Sequence, residues 1–167
     1  ASGRFGWTPT EAFDVDYVFR WTDVRTEIDD VAFDPATFRA IPIDDPLRLN
    51  LTESFFTRIA ARWDALDGGL EQKVSFSFTD YTRRDTDDQF GSRFLGQTRM
   101  VDWQANLLVT CENVLTVGVD YLDEHASSDS GTDASQYKHG VYVQDQFQIG
   151  PRWFNTIGFR WDEWNIA

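Results

Sequence analysis

Apolar and polar residues alternate along much of this chain, and short polar turns separate the alternating stretches. Between residues 13 and 21 every second residue is apolar, namely Phe13, Val15, Tyr17, Phe19 and Trp21. The stretch 115–121 repeats this two-residue period. Such a period is typical of β-strands with one apolar and one polar face. The sequence therefore predicts an all-β, antiparallel protein, and the direction in which the apolar faces point decides its function.

Composition favours a membrane barrel over a soluble one. The 167 residues predict a single domain, 1–167. Hydrophobic residues make up 41% of the chain, yet the mean hydropathy is −0.44 and no apolar run approaches the roughly 18 residues of a membrane helix. A membrane barrel needs only every second residue apolar. The 7 Trp and 5 Tyr fit the aromatic girdles that such barrels place at the two membrane interfaces.

The alternation predicts about eight strands with connections that are short and long in turn. We expect long, irregular connections at 26–48, 85–93 and 123–136. Pro35, Pro42 and Pro46 predict that the first of these stays out of regular ladders. Outer-membrane barrels show the same asymmetry, with short periplasmic turns and long outer loops. The predicted fold is therefore an antiparallel transmembrane β-barrel, or a segment of one.

The polar faces of the predicted strands carry charged and amide side chains, which a packed interior would reject and a water-filled lumen accepts. These candidate ligand-binding residues of the lumen are Arg58, Arg62, Lys73, Gln104, Asn106, Gln144, Gln146 and Arg160.

The last two predicted strands carry a more specific pattern. The stretch 140–150 contains Tyr-Val-Gln-Asp-Gln-Phe, and 158–162 reads Gly-Phe-Arg-Trp-Asp after a tight turn. This arrangement resembles the barrel of TonB-dependent outer-membrane receptors, in which a Tyr-x-Gln-Asp-Gln-aromatic strand leads into a Gly-x-Arg-aromatic-Asp strand. The stretches 115–121 and 7–12 are similar to the same family in style. The resemblance implies a bacterial-type outer-membrane receptor for a scarce ligand, such as a metal chelate, cobalamin or a glycan.

The chain also departs from that family. Its receptors have an N-terminal plug domain that contacts TonB and a barrel of about 22 strands, and we find neither the plug nor a TonB-contacting segment in these residues. The chain stops at 165–167 without the terminal aromatic residue that family members tend to have. We therefore expect a fragment of a larger receptor barrel, with outer-membrane lipid, a small-molecule ligand and, through an absent plug, TonB as partners. An autonomous eight-strand barrel is the competing hypothesis.

Acidic residues crowd the predicted long connections, and the net charge of −13 argues against nucleic acid as a partner. Oxygen ligands on a flexible loop can hold Ca²⁺, which takes six to eight of them. The candidates are Asp123, Glu124, Asp129 and Asp133. A solvated acidic loop without metal is the alternative, and no other cofactor is expected.

The sequence contains few residues and no motif that are typical of a catalytic site. The chain has two His, His125 and His139, and no nucleophile elbow, phosphate loop or zinc-binding His-Glu-x-x-His motif. Cys111 is alone, which excludes an internal disulfide and a cysteine-based metal site. We predict that the chain is not an enzyme.

Two other functions stay open. A soluble, lipocalin-like barrel would enclose a small apolar ligand between the apolar residues of stretch 13–19. A structural barrel would serve as a subunit of a larger membrane assembly. The environment of the odd-numbered residues from Val101 to Val109 distinguishes these alternatives. Burial in a protein core would contradict the membrane barrel, in which these residues face lipid.

Overall fold

The computed structural model describes residues 1–43, 48–86 and 91–166, and most of them lie in β-strands. A single turn of 3-10 helix, Leu66–Gly68, follows the fifth strand. Among the described residues, no helix is long and apolar enough to cross a membrane. In chain order the strands are β1 (Ser2–Thr10), β2 (Phe13–Glu27), β3 (Asp30–Asp34), β4 (Arg39–Ile43), β5 (Leu49–Ala65), β6 (Leu70–Thr86), β7 (Ser92–Thr110), β8 (Asn113–Ser128), β9 (Asp133–Ile149) and β10 (Trp153–Ile166).

Eight strands form one antiparallel sheet in the order β1-β2-β5-β6-β7-β8-β9-β10, so each strand pairs with the next one in the sheet along the chain. This confirms the predicted all-β, antiparallel fold of about eight strands. In the described part of the chain β1 and β10 have one neighbour each, so the sheet is open at both edges.

The first long connection contains regular structure, and the prediction that it does not was wrong. β3 and β4 form a separate two-stranded hairpin within it. Pro35 lies in the hairpin turn, where no ladder hydrogen bond is required. Pro42 lies in β4, which pairs on one side only among the described residues, and such an edge strand tolerates a missing N–H. Pro46 falls outside the described residues.

The third long connection was also predicted wrongly. β8 continues to Ser128 and β9 begins at Asp133, so only four residues connect them. The pairing runs unbroken to Ser127 opposite Asp133. Ser, Asp and Gln obscure the apolar alternation in this stretch, but the ladder bonds are made by the backbone and do not need apolar side chains. The predicted loop at 85–93 is likewise shortened by β6 and β7, and 87–90 lie outside the described residues.

One face of the sheet is apolar and uncovered. Val101 and Val109, on this face of β7, keep 44% and 54% of their surface exposed. Trp103 is partly buried, and the smallest residue of the series, Ala105, is buried. In the described part of the chain the strands contact only their sheet neighbours and the short 3-10 turn, so no second layer packs on this face. The prediction that these residues do not lie in a protein core is confirmed, with Ala105 buried within the sheet itself.

The apolar belt on this face is inclined to the hydrogen-bonded rows. On seven strands it ends, toward the long connections, at an outward-facing polar residue: Asp23, Glu53, Asp80, Arg99, Asp123, His139 and Glu163. The row that starts at Asp23 reaches β9 at Asp133, six residues away from the boundary residue His139. Six residues of about 3.3 Å across five strand spacings of about 4.8 Å give an inclination of about 40°.

The short turns shift in the same direction. The row through Phe13, the first residue of β2, reaches β9 at Val143, and β9 continues for six more residues to Ile149. Both edges of the belt are therefore displaced by the same amount, and the belt keeps its width. Membrane barrels tilt their strands by about 35–45° from the barrel axis, so this belt would run level around such a barrel.

The turn between β5 and β6 contains backbone strain that glycine would relieve. Leu66 and Asp67 both adopt φ of 53°, a left-handed conformation that disfavours side chains with a Cβ. We expect Leu66→Gly to raise the free energy of unfolding by about 0.5–1 kcal/mol. Urea titration of the folded protein in lipid vesicles measures the change. Ala65→Gly is the control: Ala65 is extended, with φ of −129°, and glycine should destabilise the strand there. A loss of stability in both variants would contradict the strain.

Candidate functional site

The polar face of the sheet is the concave one. A cavity of about 490 Å³ is lined by side chains from six successive strands, from Arg58 on β5 to Arg160 on β10. Side chains so far apart along a sheet reach the same cavity only if the sheet curves around it. The polar side chains therefore point inward, toward what would be the lumen of a barrel, and the apolar belt lies on the convex side.

Opposite charges occupy neighbouring rows of this inner face. A single hydrogen-bonded row holds four carboxylates: Asp16, Asp102, Asp120 and Asp162. The inner-face rows on either side hold the bases: Arg62, Lys73 and Arg160 on one, and Arg4, Arg58 and Lys138 on the other. Each acid thus has a base within diagonal reach, and the inner face is close to electrically balanced.

Arg160 is the centre of the ion pairs on the β8–β10 side. Its Nη2 lies 2.8 Å from Asp120 Oδ2 and 2.7 Å from Asp162 Oδ1. The guanidinium also lies 5.6 Å from the ring centre of Tyr142, within cation–π distance. Lys138 Nζ adds a second base, 3.3 Å from Asp162. Arg160 therefore links β8, β9 and β10 across the concave face.

Two glycines make room for this arrangement. A Cβ on Gly140 would lie 2.4 Å from Arg160 Nη2 and 2.7 Å from Asp162 Oδ1. A Cβ on Gly118 would lie 2.2 Å from the Tyr142 ring. Gly118 lies directly opposite Tyr142, and Gly140 lies opposite Asp162 and diagonal to Arg160, so both positions leave space for these side chains.

A second cluster lies toward the short turns. Arg62 Nε is 2.6 Å from Asp14 Oδ2, and its Nη1 is 3.6 Å from Glu71 Oε2. Glu71 also pairs with Lys73 Nζ at 2.8 Å and accepts a hydrogen bond from Asn106 Nδ2 at 2.8 Å. These contacts join β2, β5, β6 and β7.

Amide side chains connect the two clusters. Gln104 Nε2 and the Thr116 hydroxyl both donate to Asn106 Oδ1 at 2.9 Å. The Tyr142 hydroxyl donates to Gln104 Oε1 at 3.1 Å. One polar network therefore runs from β2 to β10 along the concave face.

Arg58 lies beside this network, and its hydrogen-bond partner among the described residues is a serine hydroxyl and not a carboxylate. Its guanidinium donates to Ser75 Oγ at 3.2 Å, and Ser75 in turn donates to Asp102. In the described part of the chain Arg58 makes no direct ion pair with a carboxylate. The other base on the cavity wall, Arg160, has two carboxylate partners.

The predicted lumen residues all lie on the concave face, and most of them meet. Arg62, Lys73, Gln104, Asn106 and Arg160 belong to the network. Gln144 and Gln146 lie on the same face, and their side chains join no hydrogen bond of the network in the described part of the chain. Ligand binding by these residues stays a prediction.

The sequence analysis missed the acidic half of the site, one base, one tyrosine and the two glycines. The missed residues are Asp14, Glu71, Asp102, Asp120, Lys138, Tyr142, Asp162, Gly118 and Gly140. The alternation already placed Asp14, Asp102 and Asp120 opposite apolar residues, so it could have identified them as lumen-facing. The two glycines carried no signal, because their role depends on cross-strand neighbours.

The four acidic residues predicted to hold calcium do not meet. Asp123 and Glu124 are consecutive residues of β8, so their side chains point to opposite faces of the sheet. The Asp133 carboxylate lies 3.8 Å from His125 Nδ1. Among the described residues, no group of three or more acidic, His or Cys side chains is placed to hold a metal ion. Calcium binding by these residues, with Asp129, stays a prediction.

Three solved structures with a similar fold are named as receptors or as a transporter. Neither a protein-family model nor a curated protein sequence matches the chain. The alcaligin outer-membrane receptor FauA from Bordetella pertussis matches 99% of the chain with a TM-score of 0.81 and 11% identity. The FrpB iron transporter from Neisseria meningitidis matches 99% with a TM-score of 0.81 and 12% identity. The siderophore receptor PirA from Pseudomonas aeruginosa matches 99% with a TM-score of 0.76 and 17% identity.

The chain matches only part of each of these solved structures. It spans 27%, 30% and 28% of FauA, FrpB and PirA respectively. At such low identity the likeness shows the fold. The chain therefore has the fold of a β-barrel segment, which agrees with the open edges of its sheet.

The space above Gly140 is required for the ion pairs of Arg160. We expect Gly140→Ala to displace the guanidinium from Asp120 and Asp162 and to lower the free energy of unfolding by about 1–3 kcal/mol. Gly158→Ala is the matched control on β10, because its Cβ would meet nothing closer than 3.5 Å; it should change stability by less than about 1 kcal/mol. Urea titration in lipid vesicles measures both. Equal losses in the two variants would contradict the role of Gly140.

Proposed function

We propose that this chain forms part of the wall and outer connections of a bacterial outer-membrane receptor, which takes up a scarce ligand by TonB-dependent transport. The observation that supports the proposal is the difference in polarity between the two faces of the sheet. A charged, hydrogen-bonded network covers the concave face, and an uncovered apolar belt, inclined by about 40°, covers the convex face.

The belt supports a place in a lipid bilayer. Exposed apolar area of this extent is costly in water and favourable in hydrocarbon. Strands β2 and β5 to β10 contain 14–19 residues, whereas a tilted strand crosses a bilayer with about 9–11. The surplus lies beyond the boundary residues of the belt, so the sheet would project outward from the membrane on the side of the long connections.

The lumen network supports a water-filled interior. Charged side chains are stable on that face because most of them have an ion-pair or hydrogen-bond partner and because water can reach the remaining polar atoms. Arg58 and the amides of Gln104 and Gln144 would then meet what enters the lumen. A metal chelate is the ligand class that the similar structures suggest, since their names refer to alcaligin, iron and siderophores. Cobalamin and glycans remain alternatives.

Energised uptake would belong to the whole receptor. The sequence resemblance implies a plug that contacts TonB, and the open edges at β1 and β10 offer backbone groups for further wall strands. The similar structures are transporters and receptors, which supports a function without catalysis. Other subunits of a membrane complex would have the apolar belt as their contact surface.

The curvature opposes the soluble, lipocalin-like alternative. That barrel would place Phe13, Val15, Tyr17 and Phe19 inside, around an apolar ligand. These residues share the face of the belt, which is the convex face. A binding barrel with its apolar residues outside and its ion pairs inside would not hold an apolar ligand.

A heat-shift experiment tests the size and location of the barrel. Membranes of the source cells are extracted with detergent, and the protein is run unheated and boiled on a denaturing gel. We expect a heat-shifted band several times larger than 19.3 kDa, because the wall needs more strands than this chain has. A heat-shifted band at 19.3 kDa would instead indicate an autonomous eight-strand barrel. Absence from the membrane fraction would contradict the proposal altogether.

A pair of neighbouring substitutions tests which face meets lipid. Val143 points outward in the belt and Gln144, the next residue of β9, points into the lumen. We expect Val143→Arg to cost about 2–4 kcal/mol of folding free energy in a bilayer, as arginine does on the lipid face near the midplane. Gln144→Arg is the control and should be tolerated in a wet lumen. Folding into vesicles, followed by the heat shift, measures both; equal defects would mean that the convex face does not face lipid.

A further inference from the structure

Three arginines lie in one hydrogen-bonded row on the convex face, beyond the apolar belt. Arg25 on β2 is opposite Leu51 on β5. Leu51 is opposite Arg84 on β6, and Arg84 is opposite Arg93 on β7. The register of these pairs continues without a shift from the belt to this row, so the three side chains point outward as the belt residues do. All three are exposed, and we call them the arginine row.

The arginine row lacks the carboxylate partners that other arginines of the sheet have. Arg160, for example, lies 2.7 Å from Asp162. In the described part of the chain no ion pair of this kind involves the arginine row. Even Arg25, which has Asp23 and Glu27 two residues away on the same face of β2, forms none. The arginine row is therefore open to an anion that does not belong to these strands.

Two members of the row are direct neighbours with the same charge. Arg84 and Arg93 lie opposite each other across β6 and β7, an arrangement that destabilises a sheet. Glu53 is diagonal to Arg84. Asp129 accepts a hydrogen bond from the backbone N–H of Arg93 at 2.8 Å and so faces the main chain. An anion bound between the two guanidinium groups would remove their repulsion.

The arginine row rises from the edge of the belt. Arg25 lies two residues beyond the boundary residue of β2, Arg84 four beyond that of β6 and Arg93 six beyond that of β7. With about 3.3 Å per residue and an inclination of about 40°, these steps give heights of about 5, 10 and 15 Å above the belt. The headgroup layer on one side of an ordinary bilayer is about 5–7 Å thick. Arg25 therefore lies at headgroup depth, and the other two lie above it.

The surface between the Arg84–Arg93 pair and the belt suits a sugar. Thr82 is the next outward-facing residue below Arg84 on β6, and below it Asp80 accepts a hydrogen bond from Gln97 Nε2 at 2.7 Å. Hydroxyl, carboxylate and amide groups donate and accept the hydrogen bonds that sugar hydroxyls make. A headgroup that spans this surface and reaches the arginine pair is an oligosaccharide, because a phospholipid headgroup is too short.

The spacing of the arginines suits phosphate. A planar guanidinium binds phosphate oxygens through two parallel hydrogen bonds. Arg84 and Arg93 are one strand spacing apart, about 5 Å, so both side chains can reach one phosphate. Arg25 is two spacings from Arg84, about 10 Å, and would meet a second phosphate closer to the acyl chains.

We propose that the arginine row binds the phosphorylated headgroup of a glycolipid in the outer leaflet, while the acyl chains of this lipid lie against the apolar belt. Arg25 binds a phosphate at the base of the headgroup, and Arg84 and Arg93 share a phosphate farther from the membrane. This contact presupposes that the belt lies in a bilayer, as proposed above, and depends on neither the ligand of the lumen nor the plug.

Native mass spectrometry of the complete protein, released from a nonionic detergent, tests the proposal because it counts the lipids that stay bound. The probe is an acylated diglucosamine glycolipid with phosphates on the disaccharide and on an attached oligosaccharide. We expect saturable binding of this probe. The same glycolipid without phosphates, and phosphatidylglycerol, should each bind at least about tenfold more weakly. Inorganic phosphate at the same concentration should not displace the probe.

Substitutions locate the binding on the arginine row. Arg84→Gln with Arg93→Gln should weaken binding of the probe at least about tenfold, and Arg25→Gln about fivefold, as expected for the loss of two bases and of one base at a charged lipid surface. Arg20→Gln with Arg152→Gln is the matched control. Both residues are exposed, Arg20 on the concave face and Arg152 in the short turn before β10, and binding should not change.

Urea titration of the folded protein gives a second readout. Arg84→Gln with Arg93→Gln removes a repulsion, so without the probe it should not lower the urea midpoint. Addition of the probe should raise the midpoint of the unsubstituted protein, because a ligand that binds only the folded state stabilises it. The doubly substituted protein should show a much smaller rise.

Equal binding of the phosphorylated and dephosphorylated glycolipids would contradict the proposal, as would an equal loss of binding in the control variant. Phosphatidylglycerol that binds as tightly as the probe would indicate a general anionic membrane surface, and displacement by inorganic phosphate would indicate a site for the free ion. Either outcome overturns the glycolipid site. None of these results alters the heat shift or the Val143→Arg test, so failure here is distinguishable from failure of the proposed receptor barrel.

Discussion

Strand register is the constraint on which the rest of this structure depends. Side chains alternate with a period of two, so a slip of one residue in any pair would exchange the two faces of that strand. The pairing is continuous over 15 residues between β2 and β5 and over 17 between β5 and β6. Because the register holds, the strands present most of their apolar residues to one side, and the belt and the charged face arise together.

The same register explains why the charges of the lumen face are tolerated. Direct cross-strand neighbours on the acid row include Asp102 and Asp120, which repel each other. Bases one row away reach across diagonally, and Arg160 does so with Asp120 while Ser75 binds Asp102. Gly118 and Gly140 leave space beside Tyr142 and Arg160 that a Cβ would fill. The network therefore depends both on long side chains that reach the neighbouring rows and on glycines that leave space for them.

The inclination of the belt links local pairing to overall shape. Both of its edges shift by six residues between β2 and β9, although no single hairpin shows more than a small step. Nothing in the packing of a flat sheet in water would require such a shift. In a barrel it is the tilt that lets strands close around a lumen while their apolar residues stay at one level. The hairpin of β3 and β4 is not part of the eight-stranded sheet, and its apolar residues do not belong to the belt.

The sequence by itself determined the class of the fold, the number of main strands and the face on which its candidate lumen residues lie. All three follow from a two-residue period that each strand carries locally, and Arg62 or Gln104 could be placed on a face from their neighbours alone. The sequence analysis did not find the β3–β4 hairpin, because its prolines argued against a ladder, and it did not find the extension of β8 and β9, because polar residues obscure the alternation there while the backbones still pair. Tertiary structure also decided the curvature and the pairing of Arg160 with Asp120. These depend on which strands become neighbours and in what register, and that is settled by hydrogen bonds between residues far apart in the chain.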